Sequence, residues 1–240
     1  MLSYIKSIFN RNRSKEYPYL IFESYEKYRT LQEEFQTTEF NDIQEGFRQT
    51  QETAEAGDMG TNSLANLYAI IRELKPSIVV ETGVCNGFSS LVTLLAMEKN
   101  RHGHLYSIDY PYRSDISLQE FRDETFENYG GASIPKDKEP GWIIPERLRN
   151  RWSLREGKSQ KQLCHLSSEL SSPPELFIHD SEHSYPCMMF EYEWANTWIE
   201  SGGVIISDDI SWNDSFKVFT EERSLESQKI SENFGYMLAD

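Results

Sequence analysis

Three carboxylates follow two short apolar segments of the chain, and their positions could create a cation site. Leu176-Phe177-Ile178 leads to Asp180, and Val204-Ile205-Ile206 leads to Asp208 and Asp209. An apolar, aromatic stretch of helical length, closed by two glycines, separates the segments. Strand, helix and strand in this order predict two parallel neighbouring strands. All three carboxylates would then meet at the carboxyl edge of the sheet, where open α/β sheets bind their ligands.

Neighbouring carboxylates repel one another, so either one of them takes a proton or a cation lies among them. Oxygen ligands of this kind suit hard cations such as Mg²⁺, Mn²⁺ or Ca²⁺. In the alternative interpretation, Asp208 and Asp209 belong to a helix cap and a turn, and Asp180 simply ends a strand. That alternative accounts for each acid alone but less well for acids at the ends of two adjacent strands. The sequence therefore favours a divalent-cation site.

A second candidate ligand site lies earlier in the chain, at a turn that contains two glycines. The apolar segment Ser77–Val80 is followed by the turn Glu81–Gly87 and then by a helix whose first turn contains Ser89. Glycine lets a ligand approach the backbone, and the free amides of the helix start would face that ligand. The Gly-x-x-x-Gly spacing differs from the Gly-x-Gly-x-x-Gly of dinucleotide-binding turns, which argues against NAD. The next strand, His104–Asp109, ends in an acid that could accept both hydroxyls of a ribose.

Composition limits the class of protein. The 240 residues suffice for one α/β domain with an extension, and the net charge of −15 makes a nucleic-acid partner a poor choice. The three cysteines are far apart in the sequence, so they predict neither a disulfide framework nor a zinc site and fit a reducing cytoplasm. No apolar run approaches the length of a membrane span. We therefore expect a cytoplasmic protein.

These motifs together resemble the class I S-adenosylmethionine-dependent methyltransferases. The resemblance is closer to the metal-dependent small-molecule O-methyltransferases, a group with catechol, caffeoyl-CoA and macrolide-sugar methyltransferases and cephalosporin-hydroxylase-like proteins. It covers residues 61–238 and is carried by Val80–Gly83 with Gly87, by Asp180, and by the segment Gly202–Asn213. It implies an α/β fold: a Rossmann-like, seven-stranded, mostly parallel sheet flanked by helices, with the last strand antiparallel.

The resemblance also implies roles for individual residues. The methionine part of the cofactor would lie against the glycine turn, the ribose on Asp109 and the adenine near Ser159. Mg²⁺ or another divalent cation would be held by Asp180, Asp208 and Asp209; many relatives have Asn at the last position. The complete predicted set for S-adenosyl-L-methionine is Glu81, Gly83, Val84, Asn86, Gly87, Ser89, Asp109, Ser159 and Asp180.

The lysine that often serves as the base in this group is absent here. The corresponding neighbourhood contains His183, which we take as the candidate catalytic base; its alternative role is that of a capping or core histidine. The resemblance implies methyl transfer to a hydroxyl of a small sugar, polyketide or phenolic metabolite. A cephalosporin-hydroxylase-like protein and a non-catalytic, cofactor-binding scaffold remain as alternatives on the same fold.

The domain prediction divides the chain near residue 60. Residues 1–60 would form a helical extension, with an amphipathic helix over 18–56, and residues 61–240 the methyltransferase domain. The first 15 residues could touch an anionic membrane surface, although a frayed helix or one that packs against a partner is favoured, and the N-terminal region could form a homodimer. Residues 110–150 are expected to be a lid with a short helix over 118–128. A helix capped by Thr61 or Asn62, a helix over 212–224 and a hairpin near the end complete the prediction.

Overall fold

A single sheet organises the protein, in a computed structural model that describes residues 17–50, 59–113 and 132–240. Its seven strands lie in the order β3-β2-β1-β4-β5-β7-β6. The strands β1 to β5 pair in parallel, β7 pairs antiparallel with β5, and β6 pairs antiparallel with β7. The predicted fold is therefore confirmed. The strands are β1 Ile78–Thr82, β2 His104–Asp109, β3 Trp152–Glu156, β4 Leu176–His179, β5 Val204–Ser207, β6 Ser227–Lys229 and β7 Gly235–Leu238.

Helices cover both faces of the sheet because successive strand side chains point to opposite faces. Val79 joins one buried cluster with α3 and α4, whereas Val80 joins the other with α5, α6 and α7. Strands that are buried on both faces read as continuous apolar runs, which is why β1, β4 and β5 were recognisable. The described helices are α1 Tyr25–Gln36, α2 Phe40–Thr50, α3 Thr61–Leu74, α4 Phe88–Asn100, α5 Ser159–Glu169, α6 Tyr185–Trp198 and α7 Ser215–Arg223.

In residues 17–50, the described part of the N-terminal extension, the structure has two helices where the sequence predicted one. The hydroxyls of Thr37 and Thr38 donate to the carbonyls of Glu34 and Phe35, so they satisfy the last turn of α1 and end it there. The next helix, α3, begins after Gly60, whose φ is 73°, and not with a side-chain cap from Thr61 or Asn62. Residues 1–16 and 51–58, including the predicted membrane-contacting segment, lie outside the described residues.

The described part of the extension packs on the same core as the sheet. Phe35 and Phe40 are buried against α3 and α4, and the Arg72 guanidinium pairs with Glu34 at 2.7 Å. Phe47 of α2 packs edge-on against Phe88 of α4 with a centroid distance of 5.0 Å. No helix in the described ranges is long and apolar enough to cross a membrane.

The C-terminal part follows the prediction except at one helix boundary. Helix α7 begins at Ser215 and not at Trp212. The reason is that Asn213 Oδ1 accepts a hydrogen bond from the Ser215 amide at 2.9 Å, which forms a turn before the helix. The hairpin of β6 and β7 is confirmed. Of the predicted lid, the described part includes a 3-10 helix at Glu146–Arg151, and the predicted helix over 118–128 lies outside the described residues.

Candidate active site

The carboxyl ends of the central strands bring the predicted residues to one edge of the sheet. Thr82 of β1 lies beside His179 of β4, which lies beside Ser207 of β5. Asp180 and Asp208 follow directly after these strand ends, and the Asp208 amide donates to the His179 carbonyl at 3.0 Å. Parallel register therefore produces the predicted convergence.

The glycine turn packs tightly against the backbone of Asp180, directly after β4. Gly83 has a φ of 85°, and a Cβ at this position would lie 1.9 Å from the Asp180 carbonyl oxygen. Its amide donates to the Ile108 carbonyl at 2.9 Å. Gly87 has a φ of 106°, and a Cβ there would lie 2.7 Å from the Gly141 Cα. Both glycines are thus required by backbone conformation and by contact.

Glu81 lies beneath the turn and is completely buried. Its Oε2 accepts hydrogen bonds from Ser90 Oγ at 2.5 Å and from Ser107 Oγ at 2.7 Å, whereas Oε1 has no hydrogen-bond partner in the part of the chain that the structure describes. Burial is the main reason why the pKa of Glu81 rises to about 7. The two serines were not predicted as partners, and only their proximity in the fold identifies them.

Asp109 closes the other side of the turn. Its Oδ1 accepts a hydrogen bond from the Val84 amide at 3.1 Å, and its Oδ2, also buried, has no hydrogen-bond partner among the described residues. Burial raises the pKa of Asp109 to about 6. One oxygen therefore holds the turn, and the other is the acceptor that a ligand hydroxyl could use.

The remaining predicted cofactor residues divide into two groups. The buried Ser89 hydroxyl lies close enough to Glu81 and Asp180 to lower the pKa of both. The side chains of Asn86 and Ser159 face protein groups instead. Asn86 Oδ1 accepts Trp142 Nε1 at 2.7 Å, and Ser159 Oγ lies 3.9 Å from a cysteine sulfur in α6. Trp142 therefore anchors the expected lid to the turn, and a cofactor role for Asn86 and Ser159 stays a prediction.

The three carboxylates predicted as metal ligands influence one another. Burial first, and then Asp208, Glu81 and Asp209, raise the pKa of Asp180 well above its ordinary value. Asp209 has a φ of 47°, a left-handed conformation that Asp and Asn tolerate better than most residues. In the described part of the chain, however, no group of three or more potential ligands is arranged to hold a metal ion. The carboxylate oxygens and the repulsion among them suit a cation. In the described residues, however, the three carboxylates are not arranged as a complete metal site.

His183 lies at the edge of this acidic group. Its Nε2 is 3.4 Å from Asp209 Oδ2, and its ring packs against Trp212 with a centroid distance of 5.1 Å. Burial, with a smaller effect of His179, lowers the pKa of His183 to about 3. The imidazole is therefore neutral at pH 7, the form that a base needs, but this low pKa makes it a weak proton acceptor.

Sequence inspection missed the buried groups behind Asp180. Glu191 of α6 and His179 of β4 are both fully buried and in contact at 2.6 Å. A signal was present, because Glu191 is an acid within the largely apolar, aromatic sequence of α6.

Comparisons with known proteins agree with this geometry. A family profile described as a methyltransferase domain matches residues 80–210, just over half of the chain. A search of curated proteins finds no match.

Several solved structures share the fold. An O-methyltransferase from Bacillus cereus, in complex with SAH, is 13% identical with a TM-score of 0.58, covering 84% of this chain and 90% of its own. The SAH-bound methyltransferase PaMTH1 from Podospora anserina is 12% identical with a TM-score of 0.55, covering 84% and 87%. TomG from Streptomyces achromogenes, an O-methyltransferase involved in tomaymycin synthesis, was solved with SAM and is 14% identical with a TM-score of 0.55, covering 83% and 87%. The chain belongs to the methyltransferase-domain family and has the Rossmann-like fold of the class I S-adenosylmethionine-dependent methyltransferases.

Proposed function

We propose that the protein is an S-adenosylmethionine-dependent O-methyltransferase that acts on a hydroxyl of a small metabolite. The observation that carries the proposal is the glycine turn between Asp109 and Asp180, in a chain of the methyltransferase family. Burial raises the pKa values of three carboxylates around this turn, because little positive charge compensates their ionised forms. A ligand that carries a sulfonium and an ammonium group would stabilise those ionised forms, whereas the phosphates of a dinucleotide would destabilise them further.

The roles of the residues follow from their positions. The free Asp109 Oδ2 would accept a ribose hydroxyl, while Oδ1 keeps the turn in place through the Val84 amide. The absence of a side chain at Gly83 lets the turn pack directly against the Asp180 backbone, so the two segments that would hold the ligand stay together. Bound S-adenosylmethionine would supply an electrophilic methyl group. Two of the structural neighbours were solved with SAH, and TomG was solved with SAM, which supports this choice of cofactor.

We further propose that a divalent cation, Mg²⁺ or one of similar size, binds at Asp180, Asp208 and Asp209. Mutual repulsion among these acids supports the proposal, because a cation would lower the free energy of all three ionised forms together. The cation would supply positive charge that favours the ionised form of an acceptor hydroxyl. His183, beside Asp209, stays the candidate proton acceptor; the alternative is that it only orients Asp209.

The decisive experiment is calorimetric titration of S-adenosylmethionine and SAH into the protein, first with Mg²⁺ and then with EDTA. We expect micromolar binding that Asp109→Ala weakens strongly. Absence of binding in both conditions would overturn the proposal.

A separate titration of Mg²⁺ or Mn²⁺ without cofactor, on the wild type and on Asp208→Ala, tests the cation. If neither ion binds the wild type, the cation proposal is wrong while the methyltransferase proposal stands. Asp208→Ala is also tested in an acceptor screen. If this variant keeps its SAH affinity but loses turnover, the protein is an enzyme and not a cofactor-binding scaffold.

A further inference from the structure

Glu191 is a buried carboxylate for which the proposed chemistry has no use. It lies in the middle of α6, on the face turned toward the sheet, and none of its side chain is exposed. Burial by itself would raise its pKa, but His179 and neighbouring hydroxyls hold the pKa below its ordinary value. A charge in the protein interior is costly unless partners compensate it, so the contacts of this carboxylate need an explanation.

Hydrogen bonds to the two carboxylate oxygens provide that compensation. Oε2 accepts from Thr82 Oγ1 at 2.5 Å and from His179 Nδ1 at 2.6 Å. Oε1 accepts from Ser181 Oγ at 2.8 Å, and Cys187 Sγ lies 3.6 Å away. An ionised carboxylate can only accept, so His179 carries its proton on Nδ1.

The partners of Glu191 are the residues next to the candidate ligand-binding groups. Thr82 immediately precedes Gly83 of the cofactor turn, and His179 and Ser181 stand on either side of Asp180. The Asp180 amide donates to the Thr82 carbonyl at 2.9 Å, so the two strand ends are also joined directly. One carboxylate thus connects the ends of β1 and β4 from beneath the site.

We infer that Glu191 is a positioning residue: through Thr82, His179 and Ser181 it holds the cofactor turn and Asp180 in the arrangement that binds the ligand. The inference rests on the proposed function, since it assigns Glu191 to the same site. Groups that hydrogen-bond to metal ligands typically change metal affinity or activity 10–100-fold when they are removed, and by analogy we expect an effect of about tenfold here. A merely structural role would lower stability without acting on these two segments in particular.

The test compares Glu191→Gln with Glu193→Gln. Glu193 lies on the same helix, has a half-exposed side chain and pairs with Arg223 at the surface, so it is a matched control. Calorimetry would measure SAH affinity, and hydrogen exchange of the free protein would be followed in peptides covering 82–87 and 179–183.

We expect Glu191→Gln to weaken SAH binding about tenfold and to speed exchange in those two peptides well beyond that in α3. Glu193→Gln should change SAH affinity less than about twofold. Unchanged affinity and exchange in Glu191→Gln, or exchange that rises equally in α3, would overturn the inference.

A second pair of variants keeps the test valid if Glu191→Gln does not fold. Thr82→Val has a similar shape but no hydroxyl, and Thr82→Ser retains the hydroxyl that donates to Glu191. We expect weaker SAH binding and faster exchange in 82–87 for the valine variant and near-normal values for the serine variant. Equal behaviour of the two variants would contradict the inference. If the wild type itself does not bind SAH, the proposed function is wrong, while the exchange measurements, which need no cofactor, still decide the role of Glu191.

Discussion

Replacement of Glu81 by glutamine should change how the free energy of unfolding depends on pH. Glu81 is fully buried beneath the cofactor turn, where burial raises its pKa from 4.5 to about 7. In the unfolded chain the same carboxyl group is hydrated and titrates near its ordinary value. The folded state therefore holds this proton more tightly than the unfolded state does.

The sign and the size follow from linkage. Because the folded pKa is the higher one, the stabilisation is fully present below pH 4.5 and is lost as the pH rises through about 7. The difference between the folded pKa of about 7 and the ordinary value of 4.5 corresponds to roughly 3 kcal/mol in total. Most of this loss, about 2–3 kcal/mol, falls between pH 5 and pH 8. Glutamine does not titrate. Between pH 5 and pH 8, the unfolding free energy of the wild type should therefore fall by that amount relative to that of Glu81→Gln.

Urea unfolding of both proteins at pH 5, 6, 7 and 8, followed by tryptophan fluorescence, measures this difference. Titrating groups that do not interact with Glu81 are common to both proteins and cancel. Asp109 and Asp180 do interact with Glu81, so the change spreads over a wider range of pH. The glutamine amide group, if it lacks an acceptor, would lower the stability of the variant equally at every pH. The prediction therefore concerns how the difference in unfolding free energy changes with pH. The exposed Glu200→Gln serves as a control with a constant difference. Parallel curves for Glu81→Gln and the wild type would refute the reasoning.

Three further substitutions test the geometry of the site. Gly83→Ala places a Cβ 1.9 Å from the Asp180 carbonyl and should abolish SAH binding in calorimetry and lower the thermal midpoint; normal binding would contradict the close contact. Asp209→Asn keeps a residue that tolerates a φ of 47° but removes one charge, so we expect a stable protein with weaker Mn²⁺ binding by titration; unchanged affinity would show that the Asp209 charge does not contribute to binding. Trp142→Phe removes the hydrogen bond that Trp142 Nε1 donates to Asn86 Oδ1 and should cost about 0.5–1.5 kcal/mol in urea unfolding, whereas no measurable loss would show that the bond is replaceable.

The sequence by itself determined the sheet and the place of the ligand edge. Strands buried on both faces leave continuous apolar runs, and the acids that follow them mark where the strands end. The turn was equally readable, because a backbone with positive φ, as at Gly83, favours glycine, and glycine is visible in the sequence. These features depend on local pattern and on the handedness of parallel connections, which are properties of neighbouring residues.

Only the tertiary structure decided what the polar side chains contact. Asn86 looked like a ligand residue, but its amide is bonded to Trp142, which is 56 positions away in the chain. Glu191 looked like one acid in an aromatic helix, yet it joins Thr82, 109 positions earlier, to the residues around Asp180. A hydrogen bond of this kind depends on which strand and helix pack together and on the rotation of each. Composition and spacing therefore located the site, and packing determined which of its groups remain available to a ligand.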